Sequence, residues 1–316
     1  MDLGFRMASP EYQTVWAIDS DRDAVATFGL NFGEGIARLG DIAQLDMRDV
    51  PGCDLVIGGF PCQDFSAIGR RQGVGSSRGC LFRHFARCVS AKKPKAFVAE
   101  NVQGIISANR GEALRAVVGA FEDAGYSVGW KLYDFADYGV PQHRKRVLIV
   151  GIRKDLGICF RHPAPAYGPN RQRPWVTAKE ALAGAEAAPH NNQRLASSEK
   201  VRERLSLIPP GGNIFDIPAS HPLSYRQGRG CIYRRLHPDM PSRTVLASGG
   251  GGTRGCHYSE PRALTNRELA RLQSFPDSFV FAGSISSVRR QIGNAVPPQG
   301  IAALAKALLP VFLGSF

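Results

Sequence analysis

GGFPCQDFS, residues 58–66, sets a thiol on a shaped loop directly after the apolar run DLVI. Ligands of open α/β sheets bind outside the carboxyl ends of the strands, so Cys62 stands where substrates arrive. Pro61 restricts Phe60 to extended backbone, and Gly58-Gly59 permit a sharp, close-approach turn. A cysteine is also a good small packing residue, and as a nucleophile it needs a lowered pKa or a nearby proton acceptor. Glu100, which with Asn101 ends the run AFVAEN, is a second candidate at the same expected sheet edge. A carboxyl there can act as general acid or hold a protonated ring nitrogen; a capping or solvated glutamate would read the same way. A third is PQHRKRVLIV, where Gln142, Arg144 and Arg146 share one face if the segment is extended. Two guanidiniums and an amide on one face suit phosphate or carbonyl oxygens, and they also suit a solvated basic strand.

These residues need elements to hold them. TVWAID (14–19), DLVIGG (54–59), AFVAEN (96–101) and RVLIVGIR (146–153) read as buried strands. RGCLFRHFARCVSA (78–91) places Leu81, Phe82, Phe85, Ala86 and Val89 on one helical face. Alternating strand and helix predict an α/β fold with mostly parallel strands and helices on both faces. That rhythm stops near residue 155. RHPAPAYGPNRQRPW, IPPGGN and SGGGGTRG then punctuate a loop-rich, basic stretch, before regular patterning returns with TNRELARLQSF and IAALAKALLPVFL. The expected organisation is a catalytic and cofactor-binding domain over 1–157, an inserted basic domain over 158–258, and a segment over 259–316 that returns to the first domain.

Composition bounds the function. The 316 residues carry 40 Lys+Arg against 27 Asp+Glu, a formal net charge of +13, which favours an anionic partner. A hydrophobic share of 43% can bury a core, which sets aside disordered and collagen-like classes. No run approaches the roughly 18 consecutive apolar residues of a membrane span, and the first residues lack the apolar core of a signal peptide. The seven cysteines show no Cys-x-x-Cys spacing, so neither a zinc site nor a disulfide framework is expected, and a reducing cytoplasm is.

Taken in order, GGFPCQDFS, AENV, YGVPQHRKRVLIVGIR, LQSFPDSFVF and QIGNAVPP resemble the DNA cytosine-5 methyltransferases of bacterial restriction-modification systems, over essentially the whole chain except the basic insertion. The resemblance implies a Rossmann-like, S-adenosylmethionine-dependent methyltransferase domain with a small loop-rich target recognition domain. It implies that Cys62 attacks ring carbon 6 of a cytosine, which makes carbon 5 nucleophilic enough to accept a methyl group. Glu100 matches the glutamate that engages ring nitrogen 3. Arg144 and Arg146 match a Gln-x-Arg-x-Arg motif whose last arginine helps hold the base. The target nucleotide must be flipped out of the duplex for any of this.

Further positions carry over motif by motif. Asp19 resembles the acidic residue at the cofactor's ribose and Asp41-Ile42 the pair at its adenine, with Ser20, Pro61, Leu81, Asn294 and Val296 completing the lining. Gln63, Ser66, Gln142, Arg226, Arg229, Arg235 and Thr244 are the expected DNA contacts, in part through phosphates or guanine edges. One departure is clear: the family opens with a strand and a Phe-x-Gly-x-Gly-Gly turn, whereas MDLGFRMA resembles the segment just after those glycines. The expectation is therefore that the first strand and its turn are missing. The implied partners are double-stranded DNA and a cognate restriction endonuclease acting on the same site, for a monomer without metal or membrane, in the bacterial cytoplasm at the nucleoid. Two rival readings are the tRNA-methylating branch of the family and a DNA-binding remnant without a working cofactor turn. A dehydrogenase fits poorly, since no G-x-G-x-x-G follows a strand.

Overall fold

The computed structural model describes residues 1–60, 81–224, 232–248 and 255–314. Pro61, Cys62, Gln63, Ser66, Arg226 and Arg229 lie outside the described residues. The chain divides into two compact units, Met1–Asp134 with Lys145–Ala164 and Ile301–Phe316, and Phe135–Arg144 with Pro165–Gly300. The second unit thus begins at Pro165, takes in the short segment 135–144, and gives way to the first at Ile301.

In the first unit strand and helix alternate: α1 (Asp2–Ala8), β1 (Ala17–Asp19), α2 (Arg22–Phe32), β2 (Ala37–Leu39), β3 (Leu55–Gly59), α3 (Leu81–Lys92), β4 (Ala96–Val102), α4 (Glu112–Asp123), β5 (Tyr126–Asp134) and β6 (Lys145–Arg153). Asp21 starts α2 by accepting hydrogen bonds from the N–H groups of Asp23 and Ala24. β1 pairs in parallel with β2. β3, β4, β6 and β5 form a separate sheet in that order, with β3 and β4 parallel and β6 antiparallel to both its neighbours. The expectation of a mostly parallel sheet therefore holds for one half only. β5 and β6 are joined by the short segment 135–144 with no α-helix to carry the chain back, so they pair antiparallel, and RVLIVGIR runs opposite to AFVAEN.

The helices cover one apolar layer. Phe82, Phe85 and Val89 of α3 and Val117 and Phe121 of α4 pack on β4, where Ala96, Phe97, Val98 and Ala99 have no exposed surface. Phe97 and Phe121 lie with ring centroids 4.2 Å apart. Gly58 and Gly59 are the last two residues of β3 and not a turn. They are needed for space: a Cβ on Gly58 would come 2.9 Å from the Phe85 ring, and one on Gly59 would come 3.0 Å from a Glu100 carboxylate oxygen.

The second unit holds α5 (Ala178–Leu182), α6 (Glu199–Ser206), α7 (Asn266–Leu272) and α8 (Ile285–Asn294), and the chain continues into α9 (Pro298–Leu308) and α10 (Pro310–Leu313). Thr177 with Glu180 and Thr265 with Glu268 close reciprocal capping boxes on α5 and α7. Leu205, Ile208, Ile214, Ile217 and Cys256 form a small apolar cluster. Loops are otherwise held by buried polar side chains. Arg267 has no exposed surface, and its guanidinium donates to the carbonyls of His190, Pro276 and Phe279. The expected return of 259–316 to the first unit is delayed because α7 is tied to the insertion: Arg271 donates to the carbonyls of Ala181, Ala183 and Gly184. The stretch Ile285–Leu313 is apolar and long enough by composition to pass for a membrane span, but 56% of its most apolar window is buried in the protein and it breaks into three helices.

Candidate active site

The carboxyl ends of β3 and β4 lie side by side, with Gly59 opposite Glu100 in the parallel register. β6 runs back along the other side of β4 and sets Leu148 opposite Glu100 and Arg146 opposite Val102. That two-residue diagonal brings the Arg146 Nε to 2.8 Å from the Glu100 Oε1, and both side chains are largely enclosed, at 15% and 13% exposure. Burial lowers the pKa of Arg146 and the Glu100 carboxylate opposes that shift, so the pair is a guanidinium held against a carboxylate. Asn101, with 1% exposure, turns its amide to the backbone: its Nδ2 donates to the carbonyl of Phe60 at 2.8 Å and its Oδ1 accepts from the N–H of Val102. The residue that leads into Pro61-Cys62 is thereby pinned to the strand that carries Glu100. The sequence singles out Glu100 and Arg146 but gives no sign of this role for Asn101.

The same unit encloses a cavity of about 1280 Å³, and Asp19, Ser20, Asp41, Ile42 and Leu81 all border it. Asp19 sits at the end of β1, where one of its oxygens accepts from the N–H of Asp21. Asp41 caps its own turn by accepting from the N–H of Ala43. That turn is braced from α3: Arg87 Nη2 donates to the carbonyls of Ile42 at 2.8 Å and Leu45 at 3.0 Å. Arg87 is not among the residues that the motifs single out.

In the second unit Gln142, Arg144, Arg235 and Thr244 are engaged mainly with backbone. Gln142 has no exposed surface; its Nε2 donates to the Leu272 carbonyl and the Gln273 side-chain oxygen, and its Oε1 accepts from the N–H of Val245. Arg144, with 2% exposure, donates to the carbonyls of Val245 and Gly293. Gln273, a residue of the LQSF motif not expected to matter individually, donates in turn to the carbonyls of Ile292 and Ala295. Thr244 is half-buried, and its hydroxyl donates to the His143 carbonyl. Asn294 is exposed at the end of α8, whereas Val296 is buried. Arg235, an expected DNA contact, donates from its guanidinium to the carbonyls of Leu205, Ile208, His257 and Tyr258, and so closes loops.

A family model for the C-5 cytosine-specific DNA methylases matches residues 1–309. The chain belongs to that family. Among curated proteins it is 51% identical to the type II methyltransferase M.NgoFVII of Neisseria gonorrhoeae, over 100% of this chain and 85% of the relative. It is 42% identical to the type II methyltransferase M.BbvI of Brevibacillus brevis, over 96% of this chain and 83% of that one. Among solved structures, the S. pombe Dnmt2 methyltransferase superposes with a TM-score of 0.64 at 20% identity, covering 98% of this chain and 95% of that one, which bears on the fold alone. The C-5 methylase fold expected from the motifs is thus the fold found, and the activity is that of a DNA (cytosine-5-)-methyltransferase, not of the tRNA branch.

S-Adenosyl-L-methionine is the methyl donor of a C-5 methylase, and the donor set here suits it. The exposed carboxylates of Asp19 and Asp41 can accept from ribose hydroxyls and from an exocyclic amine, while Ile18, Ile42 and Leu81 offer apolar surface to a base on the border of the same cavity. Among the described residues no cluster of His, Cys, Asp and Glu could hold a metal ion, and the described cysteines 53, 88, 159 and 256 are free thiols. Burial raises the pKa of Cys53, Cys88 and Cys256, the last to about 12, which leaves all three as unreactive packing groups.

Proposed function

We propose that this C-5 methylase modifies a cytosine within a short specific sequence of double-stranded DNA, with Cys62 as nucleophile and the paired Glu100 and Arg146 as the groups that hold the base. The observation that carries the reading is the enclosed Glu100–Arg146 pair at the carboxyl end of β4, beside Phe60, whose carbonyl Asn101 fixes. A carboxylate and a guanidinium held together present an acceptor and donors in a fixed relation, which matches a pyrimidine with a protonated ring nitrogen beside a carbonyl oxygen. The Cys62 thiolate forms a bond to ring carbon 6 as nitrogen 3 takes up a proton from the Glu100 carboxyl group, to which that proton returns when the ring is restored. S-Adenosylmethionine, when bound, supplies the methyl group to carbon 5. Loss of the carbon 5 proton to a base then expels the Cys62 thiolate and restores the ring.

Asp19, Ser20, Asp41, Ile42, Leu81 and Pro61 would hold the cofactor, with Asn294 and Val296 as further candidates. Gln63, Ser66, Arg226, Arg229 and Thr244 remain candidates for DNA contact, and the second unit is the natural target recognition domain because it carries the basic insertion. The type II names of the relatives support a place in a restriction-modification system, hence a cognate endonuclease for the same site and action on DNA in the bacterial cytoplasm.

A duplex in which candidate cytosines are replaced by 5-fluorocytosine tests the reading. Fluorine cannot leave as a proton does, so the Cys62 adduct should persist as a denaturation-resistant protein–DNA band in the presence of S-adenosylmethionine. Cys62→Ala should give no band and no methyl transfer while still binding DNA. An adduct that survives Cys62→Ala would end the assignment, and bisulfite sequencing of DNA treated with the native protein would name the site.

A further inference from the structure

The turn that carries Asp41 and Ile42 belongs to no helix or strand, so its shape depends on individual hydrogen bonds. Two are internal: the N–H of Gln44 donates to the Asp41 carbonyl at 3.0 Å, and that of Ala43 to the Asp41 Oδ1 at 2.8 Å. A carboxylate accepts through two oxygens, so the bond to Ala43 leaves Oδ2 to meet a ligand. Two more come from outside the turn. The Arg87 Nη2 donates to the carbonyl of Ile42 at 2.8 Å and to that of Leu45 at 3.0 Å, one hydrogen for each.

Helix α3 is a firm base for that reach. Its Phe82, Phe85 and Val89 are buried in the core, and Leu81, His84, Phe85 and Cys88 border the cavity at the spacing of one helical face. Arg87 itself is exposed and spans from this helix to the turn that borders the same cavity. A nitrogen shared by two carbonyls three residues apart fixes the backbone between them, and a charged donor does so more strongly than a neutral one. Arg48, in the segment that follows, makes the contrast. Its guanidinium bonds the carboxylate of Asp46 through Nε and Nη2, a local side-chain pair that holds neither carbonyl.

We propose that Arg87 is a positioning residue for recognition of the cofactor's base: by holding the carbonyls of Ile42 and Leu45 it fixes the Asp41 carboxylate, and so sets the preference for a purine with an exocyclic amine over one with an exocyclic oxygen. Arg87 acts through the turn and not on the ligand. A carboxylate fixed in place accepts from an amine and repels the carbonyl oxygen of hypoxanthine, which is selectivity by attraction and repulsion together. On a loosened turn the carboxylate swings clear, which costs the amino form its bond and relieves the oxo form of its clash. The inference rests on the reading that Asp41 and Ile42 meet the base of S-adenosylmethionine.

The test uses the intact protein with S-adenosyl-L-homocysteine and S-inosyl-L-homocysteine, two ligands that differ at the purine's exocyclic group. In calorimetry the native protein should bind the adenosyl form at least about tenfold more tightly. Arg87→Met should weaken the adenosyl form by about tenfold and bring the two ligands within about threefold of each other, with Arg87→Lys, which keeps a donor, in between. Without ligand, the Gln44 amide should exchange its hydrogen about tenfold faster in Arg87→Met. Arg48→Met removes a neighbouring positive charge but no carbonyl bond, and should leave both the preference and the exchange as in the native protein. A native preference retained in Arg87→Met, or unchanged Gln44 exchange, overturns the inference. An equal loss in Arg48→Met overturns it too, by making the effect one of charge. A native protein that binds the two ligands equally, or neither, fails differently: it takes the base away from Asp41, and the cofactor reading falls together with the inference.

Discussion

At the edge of the first unit's sheet the Arg146 guanidinium faces a carboxylate; in the second unit the guanidiniums of Arg144, Arg235 and Arg267 face backbone carbonyls. Arg146 meets the Glu100 carboxylate, side chain to side chain, inside an enclosed but accessible pair. Arg144, two residues earlier in the same run, donates to the carbonyls of Val245 and Gly293 and has 2% exposure. Gln142, two residues earlier again, is buried among Leu272, Gln273 and Val245. A guanidinium opposite a carboxylate can exchange part of that contact for a base, because both partners keep donors or acceptors to offer. One that closes backbone carbonyls cannot be withdrawn without leaving those carbonyls unsatisfied. The difference separates chemistry from scaffolding within a single sequence motif.

The sharpest way to break that comparison is to change each side of it. Glu100→Gln keeps the shape and removes the charge, so methyl transfer should fall by about a hundred- to ten-thousandfold with the fold retained. A variant that keeps near-native single-turnover rates would show that the Glu100–Arg146 pair is structural after all. Arg144→Ala should behave in the opposite way: it strands two carbonyls, and the cost should be about 3 kcal/mol of stability, read as a lower denaturant midpoint with an unchanged slope. If Arg144→Ala instead keeps its midpoint and loses only turnover, the division between the two regions fails.

The legibility of the site follows the same division. Glu100 and Arg146 could be read because strand periodicity placed them at a sheet edge and the motif order placed that edge beside Cys62. The antiparallel return of β6 could not, because an apolar run such as RVLIVGIR carries no mark of its direction; that is set by the length of the connection and by its neighbours. Asp19, Ser20, Asp41, Ile42 and Leu81 border one cavity from separate elements, and it is there that the motif resemblance expects a cofactor. A basic stretch reads as a DNA-facing surface, yet a loop-rich unit with little strand structure must satisfy its buried carbonyls somehow, and Arg235 in the insertion, with Arg267 and Arg271 beyond it, does so. Nothing in spacing or composition distinguishes an arginine that caps carbonyls from one that meets phosphates.

Arg235 supplies the finest test of that distinction, because both roles predict weaker DNA binding when it is lost and only the salt dependence separates them. A phosphate contact contributes about −0.9 to the slope of log K against log salt, so its removal should flatten the slope by nearly one unit. Arg235 donates to four carbonyls from a buried position, so Arg235→Met should leave that slope unchanged while lowering the thermal midpoint. Arg243, exposed in the same unit, is the matched control: Arg243→Met should leave the midpoint in place, and any change in its slope would report a phosphate contact. A flattened slope for Arg235→Met at an unchanged midpoint would place this arginine at the DNA interface, as the sequence expects.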